Sequence, residues 1–133
     1  MSDPRHVRRM KMVQNLFAQS FTEGKNVPNE DSDIENITKH LPEIDAYIGK
    51  NAPKYPLDRV AKADLAVLRL AVYELVIEKT EPPKVIIDEA VTLAKEFGSD
   101  RSYAFVNAVL GAIYKSVTPV EEKRMEDKET HEQ

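Results

Sequence analysis

The chain has 133 residues, a length suited to one domain with a modest core, and its 41% hydrophobic and 32% charged residues fit a soluble globular protein. A net charge of −4 argues against bulk affinity for nucleic acid, and the absence of cysteine excludes disulfides and thiolate chemistry. No apolar run approaches the ~18 residues of a membrane helix, and charge interrupts the N-terminal MSDPRHVRRMKMVQNLF where a signal peptide needs an apolar core, so a cytoplasmic location is expected.

Helical spacing dominates. The first predicted helix runs from about Pro4 to Ser20, with Asp3 placed to cap it and Pro4 at its first position. Val7, Met10, Val13 or Gln14, and Phe17 form its apolar stripe, with Leu16 beside it. GKNVPN at 24–29 is turn-like. Ile34, Ile37, Leu41, Ile44 and Ile48 then alternate spacings of three and four, an amphipathic stripe. Pro42 interrupts it and predicts a kink or two short helices, because proline lacks an amide donor and clashes with the preceding turn.

NAPKYP at 51–56 links the two halves. Asp58 is placed to cap the next helix. There Leu65, Leu68, Val72, Leu75 and Val76 face inward, and Val67, Leu70 and Ala71 widen the apolar arc, as in a central helix. Pro82-Pro83 stops it and starts another, with Val85, Ile86, Ala90, Val91, Ala94 and Phe97 as its stripe and Gly98 as its C-cap. Ser99 or Ser102 caps the last helix, where Phe105, Val106, Val109, Leu110, Ile113 and Val117 recur. From Thr118 onward charge replaces apolar residues, which predicts a disordered acidic tail. The expectation is an all-α domain of five or six helices over residues 1–117, followed by a charged tail over 118–133.

Catalytic chemistry is not visible. His6, His40 and His131 are scattered, and none stands one helical turn from a second metal ligand, so neither a metal nor another cofactor is expected. The four glycines are isolated and make no phosphate loop. Asp88-Glu89 is the best carboxylate pair, but adjacent residues diverge on a helix and acids favour its first turn. An enzyme is therefore not expected.

The charge distribution says more than the total. Residues 1–25 carry Arg5, Arg8, Arg9, Lys11 and Lys25 against Asp3 and Glu23, a net +3. The tail from Glu121 to Gln133 carries a net −3. Arg5, Arg8 and Arg9 stand three and four residues apart and share a helix face, with Lys11 on a neighbouring one. That face is either a solvated surface or a phosphate-binding site. For the second, single-stranded RNA is the natural ligand, since arginine binds phosphate and stacks on unpaired bases.

The stretch LAVLRLAVYEL, then PPKVIIDEAVTLAKEFG, then Phe105-Val106-Asn107 closely resembles the NusB family of transcription antitermination proteins. Arg69, Tyr73-Glu74, Pro82-Pro83-Lys84-Val85, Asp88-Glu89-Ala90 and Leu93-Ala94-Lys95 meet the family pattern from about Asp58 to Ile113. The basic start of the first helix and Gln14-x-Leu16-Phe17 are similar too. The resemblance implies a compact bundle of about six helices in two sub-bundles. It also implies an RNA-binding antitermination adaptor that pairs with NusE, a small-subunit ribosomal protein, and binds boxA-type single-stranded RNA. Through these it would help RNA polymerase transcribe ribosomal RNA operons.

Carried onto this sequence, the resemblance places RNA at Arg5, Arg8, Arg9, Lys11, Phe17, Asp100, Arg101, Ser102 and Phe105, and the NusE contact at Asp64 and Glu74. Beside these roles stand structural ones. Arg69, Glu74 and Asn107 fit polar ties between helices, Phe17 and Phe105 fit the core, and Tyr73, Val106 and Leu110 are core. Arg101 stands where the family often has an acid, and Ala108 where it often has glycine. Two other functions fit the same resemblance: a protein-only interaction domain, and an accessory domain like those of RNA cytosine methyltransferases.

Overall fold

Helix α1 (Pro4–Gln19) begins where Asp3 accepts a hydrogen bond from the Arg5 amide at 2.9 Å and Pro4 fills a position that needs no donor. The computed structural model describes residues 3–22, 31–52, 56–99 and 101–117; the turn at 24–29, Asp100 and the expected tail lie outside them. Helices α2 (Ser32–Lys39) and α3 (Leu41–Asn51) follow. Their break at His40 is the one Pro42 predicts, since proline is tolerated only in a first turn. Ile34, Ile37, Ile44 and Ile48 are fully buried, each contributing about 1.5–3 kcal/mol of apolar transfer.

Asp58 does not cap the next helix. It sits in a short 3-10 turn (Leu57–Arg59), and the backbone is extended at Val60 before α4 (Lys62–Val72) starts without a side-chain cap. All residues of α4 from Asp64 to Val72 except Arg69 are buried. The helix packs against α1, α3, α5 (Pro83–Phe97) and α6 (Ser102–Val117), so the N-terminal and C-terminal halves share one core. Arg69 is fixed by Asp45 of α3 through two hydrogen bonds of 3.0 and 2.9 Å. Six α-helices and no strand are present among the described residues.

Past Val72 the helix widens into a π-helical turn over Tyr73–Glu78. The Lys79 amide closes it, donating to the Glu74 carbonyl at 2.8 Å, five residues back. Lys79 itself adopts φ 55°, the left-handed region that costs a side-chain-bearing residue about 1–2 kcal/mol. Glycine there relieves that cost and loses part of the gain through its freer unfolded chain. Lys79→Gly is therefore expected to raise stability by about 0.5–1 kcal/mol. The check is a higher urea midpoint at unchanged slope.

Some faces differ from the expected ones. The buried side of α1 is Arg9, Met12, Val13 and Leu16, which leaves Phe17 39% exposed. In α5, Leu93 is buried and Val85 is exposed. Tyr73, Val106 and Leu110 are core, whereas Asn107 is exposed and ties no helices together.

Candidate nucleic-acid interface

The arginines of α1 do not form a free cationic face. Arg9 is 7% exposed, and its Nε and Nη2 donate to the Glu74 carboxylate at 2.8–3.2 Å while Nη2 also meets Glu81. Arg8 pairs with Asp33 and, at 3.5 Å, with Asp31. Arg5, mostly in solvent, donates to Glu81 at 3.1 Å. Burial works against the Arg9 charge, but the two glutamates outweigh it and raise its pKa. Burial pushes the Glu74 carboxyl up, and the Arg9 guanidinium pulls it back. The two directions describe one ionised pair, because a guanidinium stays charged. Lys11 is exposed on the same helix.

His6 supplies a second tie from α1. Its Nδ1 meets Glu89 and its Nε2 lies 2.8 Å from Glu96, both on α5. Both nitrogens face carboxylates, so both donate when the ring is an imidazolium. The Glu89 hydrogen bond raises the His6 pKa, with burial opposing and Glu96 adding to the rise. A group raised on folding stabilises fully below its unfolded value of about 6.5, and the gain is lost as pH rises through the folded value. Stability is expected to fall above pH ~6.5 for this reason, and His6→Gln to lack that component. Urea unfolding at several pH values between 5.5 and 9 checks it.

A different surface combines aromatic rings with cations. Phe21, 57% exposed, meets Phe17 edge to face at 5.0 Å. Lys62 Nζ stands 4.4 Å from the Phe21 ring centre and donates to the Ser20 carbonyl at 3.2 Å. Phe17 also opens a small apolar pocket of about 140 Å³ with Val13, Gln14, Ala63 and Phe97. Next to Ala63, Asp64 lines a depression of about 200 Å³ with Arg59, Arg101, Ser102 and Phe105. The first turn of α4 joins the two, since Lys62 and Ala63 belong to one and Ala61 and Asp64 to the other. Nearby on α6, exposed Tyr103 lies under Lys95 Nζ at 4.9 Å.

The expected site residues are therefore regrouped. Phe17, Arg101, Ser102 and Phe105 come together around the start of α4, and Asp64 joins them. Arg5, Arg8 and Arg9 sit instead in a separate depression with Glu74, Glu78 and Glu81. Asp64 and Glu74 line separate depressions. They stand ten residues apart on the helix that begins as α4, a rise of ~15 Å. Ser102 is buried, and its Oγ accepts the Ser99 amide at 2.9 Å, so it shapes the turn. Sequence reasoning missed Phe21, Arg59 and Lys62. The spacing of four from Phe17 to Phe21 was a signal, but Lys62 meets Phe21 only through the fold.

Six packed helices that carry a face of exposed rings and cations define a small all-α protein. The sequence profile of the NusB family matches residues 11–115, and the chain belongs to that family. It is 52% identical over 80 residues to the transcription antitermination protein NusB of Treponema denticola, covering 60% of this chain and 56% of the relative. The chain spans 56–62% of the length of this and two other curated NusB relatives. Among solved structures, T. maritima NusB matches with a TM-score of 0.77 at 33% identity, over 93% of this chain and 99% of that one. A chain from a crystal structure of antitermination factors NusB and NusE in complex with dsRNA matches with a TM-score of 0.71 at 28% identity, over 84% and 96%. No helix among the described residues is long and apolar enough to cross a membrane.

Proposed function

We propose that the chain is a non-enzymatic transcription antitermination adaptor. It pairs with NusE, binds boxA-type single-stranded RNA, and through that pair acts on RNA polymerase in the cytoplasm. The observation that carries this reading is the surface at the start of α4, where Phe17, Phe21 and Phe105 offer ring faces or edges beside Lys62, Arg59 and Arg101. Aromatic rings stack unpaired bases and the cations meet phosphates, which is the chemistry of single-strand recognition. A relative occurs in complex with NusE and RNA, which supports the pairing.

The test is binding of a labelled boxA-type RNA and a scrambled RNA at several salt concentrations, with and without NusE. Tighter binding to the boxA-type RNA with NusE present is expected. Each phosphate contact adds about 0.7 to the log–log salt slope of a single strand. Changing Arg59, Lys62 and Arg101 together to glutamine should lower the slope by about 2, whereas changing Arg5 and Arg8 should leave it nearly unchanged. Equal weak binding of both RNAs sinks the proposal and favours the protein-only interaction domain.

A further inference from the structure

A groove of about 700 Å³ lies where α3, the π turn and α6 end and α5 begins. Its size falls within the roughly 300–1,000 Å³ of clefts that enclose a small ligand. Tyr47, Val76, Tyr114 and Val117, each half-buried, give it apolar walls. Lys50 and Lys79 line it too, both exposed, and neither makes an ion pair among the described residues. Glu81 also reaches it, but Arg5 and Arg9 hold that carboxylate. The groove therefore offers apolar surface beside two uncompensated cations. Its complement is an aliphatic side chain next to acids.

Such a segment follows the groove directly in the sequence. Val117 ends α6 and lines the groove, and the chain continues Thr118-Pro119-Val120-Glu121-Glu122. Pro119 has no amide hydrogen to extend the ladder of α6, and it biases the residue before it toward extended backbone. Five extended residues reach up to about 17 Å, enough to cross a cleft of this size. A segment tethered this close acts at an effective concentration on the order of millimolar, so weak contacts suffice to keep it bound. The rest of the tail needs no structure of its own for this.

We infer that the groove is the docking site for residues 118–122 of this same chain, with Val120 against the two tyrosines and Glu121 and Glu122 on Lys50 and Lys79. Docking there has an electrostatic consequence. Val117 stands fifteen residues along α6 from Ser102, a rise of ~22 Å. Ser102 lies beside Arg59 and Arg101. The docked acids are thus held more than two Debye lengths, each about 8–10 Å, from those cations and leave their charge unscreened.

The chain has no cysteine, so Met125→Cys provides a single site for a nitroxide label in the full-length protein. Amide resonances of Val76, Lys79 and Tyr114 should lose most of their intensity, while those of Leu16 and Phe105 keep theirs. Lys50→Glu with Lys79→Glu should abolish the loss, and adding Glu121→Lys with Glu122→Lys should bring it back. Unchanged groove intensities overturn the inference. A loss that survives the lysine changes also overturns it, because nearness of a tethered label is then the whole cause. Broadening of unlabelled, isotope-enriched protein mixed with labelled protein overturns it as well, since the occupant is then a second copy. If the lysine variants do not fold, salt decides. At about 1 M the Debye length is ~3 Å, and the intensities of the unaltered groove should recover; a salt-independent loss overturns the inference. None of these readouts involves RNA.

Discussion

Replacing Arg9 by alanine is expected to lower the unfolding free energy by about 3 kcal/mol, at the lower end of the cost of breaking a buried ion pair. The side chain is 9% exposed, and its partners Glu74 and Glu81 are 14% and 17% exposed. Alanine leaves Glu74 without its two-point partner in a site that burial already makes unfavourable for a carboxylate. Glu81 keeps Arg5 and loses less. The guanidinium stem also packs in this site, so part of the loss is contact rather than charge. Urea unfolding at neutral pH reads the effect. Removing both charges, as Arg9→Met with Glu74→Leu, should recover most of it, since apolar replacement of a buried pair is often near neutral. Were Arg9 a phosphate ligand instead, alanine would weaken RNA binding at nearly unchanged stability.

The second large effect is expected at Gly98→Ala. The Gly98 backbone, at φ −109° and ψ −161°, lies in a region open to any residue, so the helix ending does not require glycine for its angles. It requires glycine for space. A Cβ at this position would lie 2.3 Å from Ser102 Oγ, 2.6 Å from Ser102 Cβ and 2.8 Å from the Ala94 carbonyl oxygen. The carbonyl belongs to α5 and Ser102 to the first turn of α6, so neither yields cheaply. A destabilisation of about 1–3 kcal/mol follows from overpacking. The same turn sets Arg101, Ser102 and Phe105 around Asp64, so RNA affinity should fall by roughly an order of magnitude as well. Thermal unfolding and RNA titration of one variant check both parts. Combining Gly98→Ala with Ser102→Gly removes two of the three close approaches and should restore part of the stability.

The sequence made the helices legible because burial imposes a period. The isoleucine stripe from Ile34 to Ile48, the break forced by Pro42 and the cap at Asp3 are local consequences of spacing and backbone chemistry, and the structure carries all three. The start of α4 was misread because Asp58 looks like a cap, while the extended backbone at Val60 delays the helix to Lys62. The π turn had no periodic signature. It keeps Tyr73 and Leu75 buried, as an α-helix would.

The site was less legible for a different reason. A charge pattern shows which cations share a face, not what that face meets. Arg9 reaches its acids 65 and 72 residues away, and His6 reaches its own 83 and 90 residues away. Helix α1 therefore turns its charges inward onto α2, the π turn and α5. The exposed rings lie instead beside Lys62, Arg59 and Arg101 around the start of α4.

The π turn has a consequence for how chains of this fold change length. A π-helical closure holds one more residue than the α-helical turn it replaces. Loss of one residue within Tyr73–Glu78 closes that stretch as ordinary α-helix, and the helix upstream keeps its register. The same loss inside Lys62–Val72 turns everything beyond it by about 100° and swings Glu74 away from Arg9. Single-residue deletions should therefore survive at one end of this helix and fail at the other.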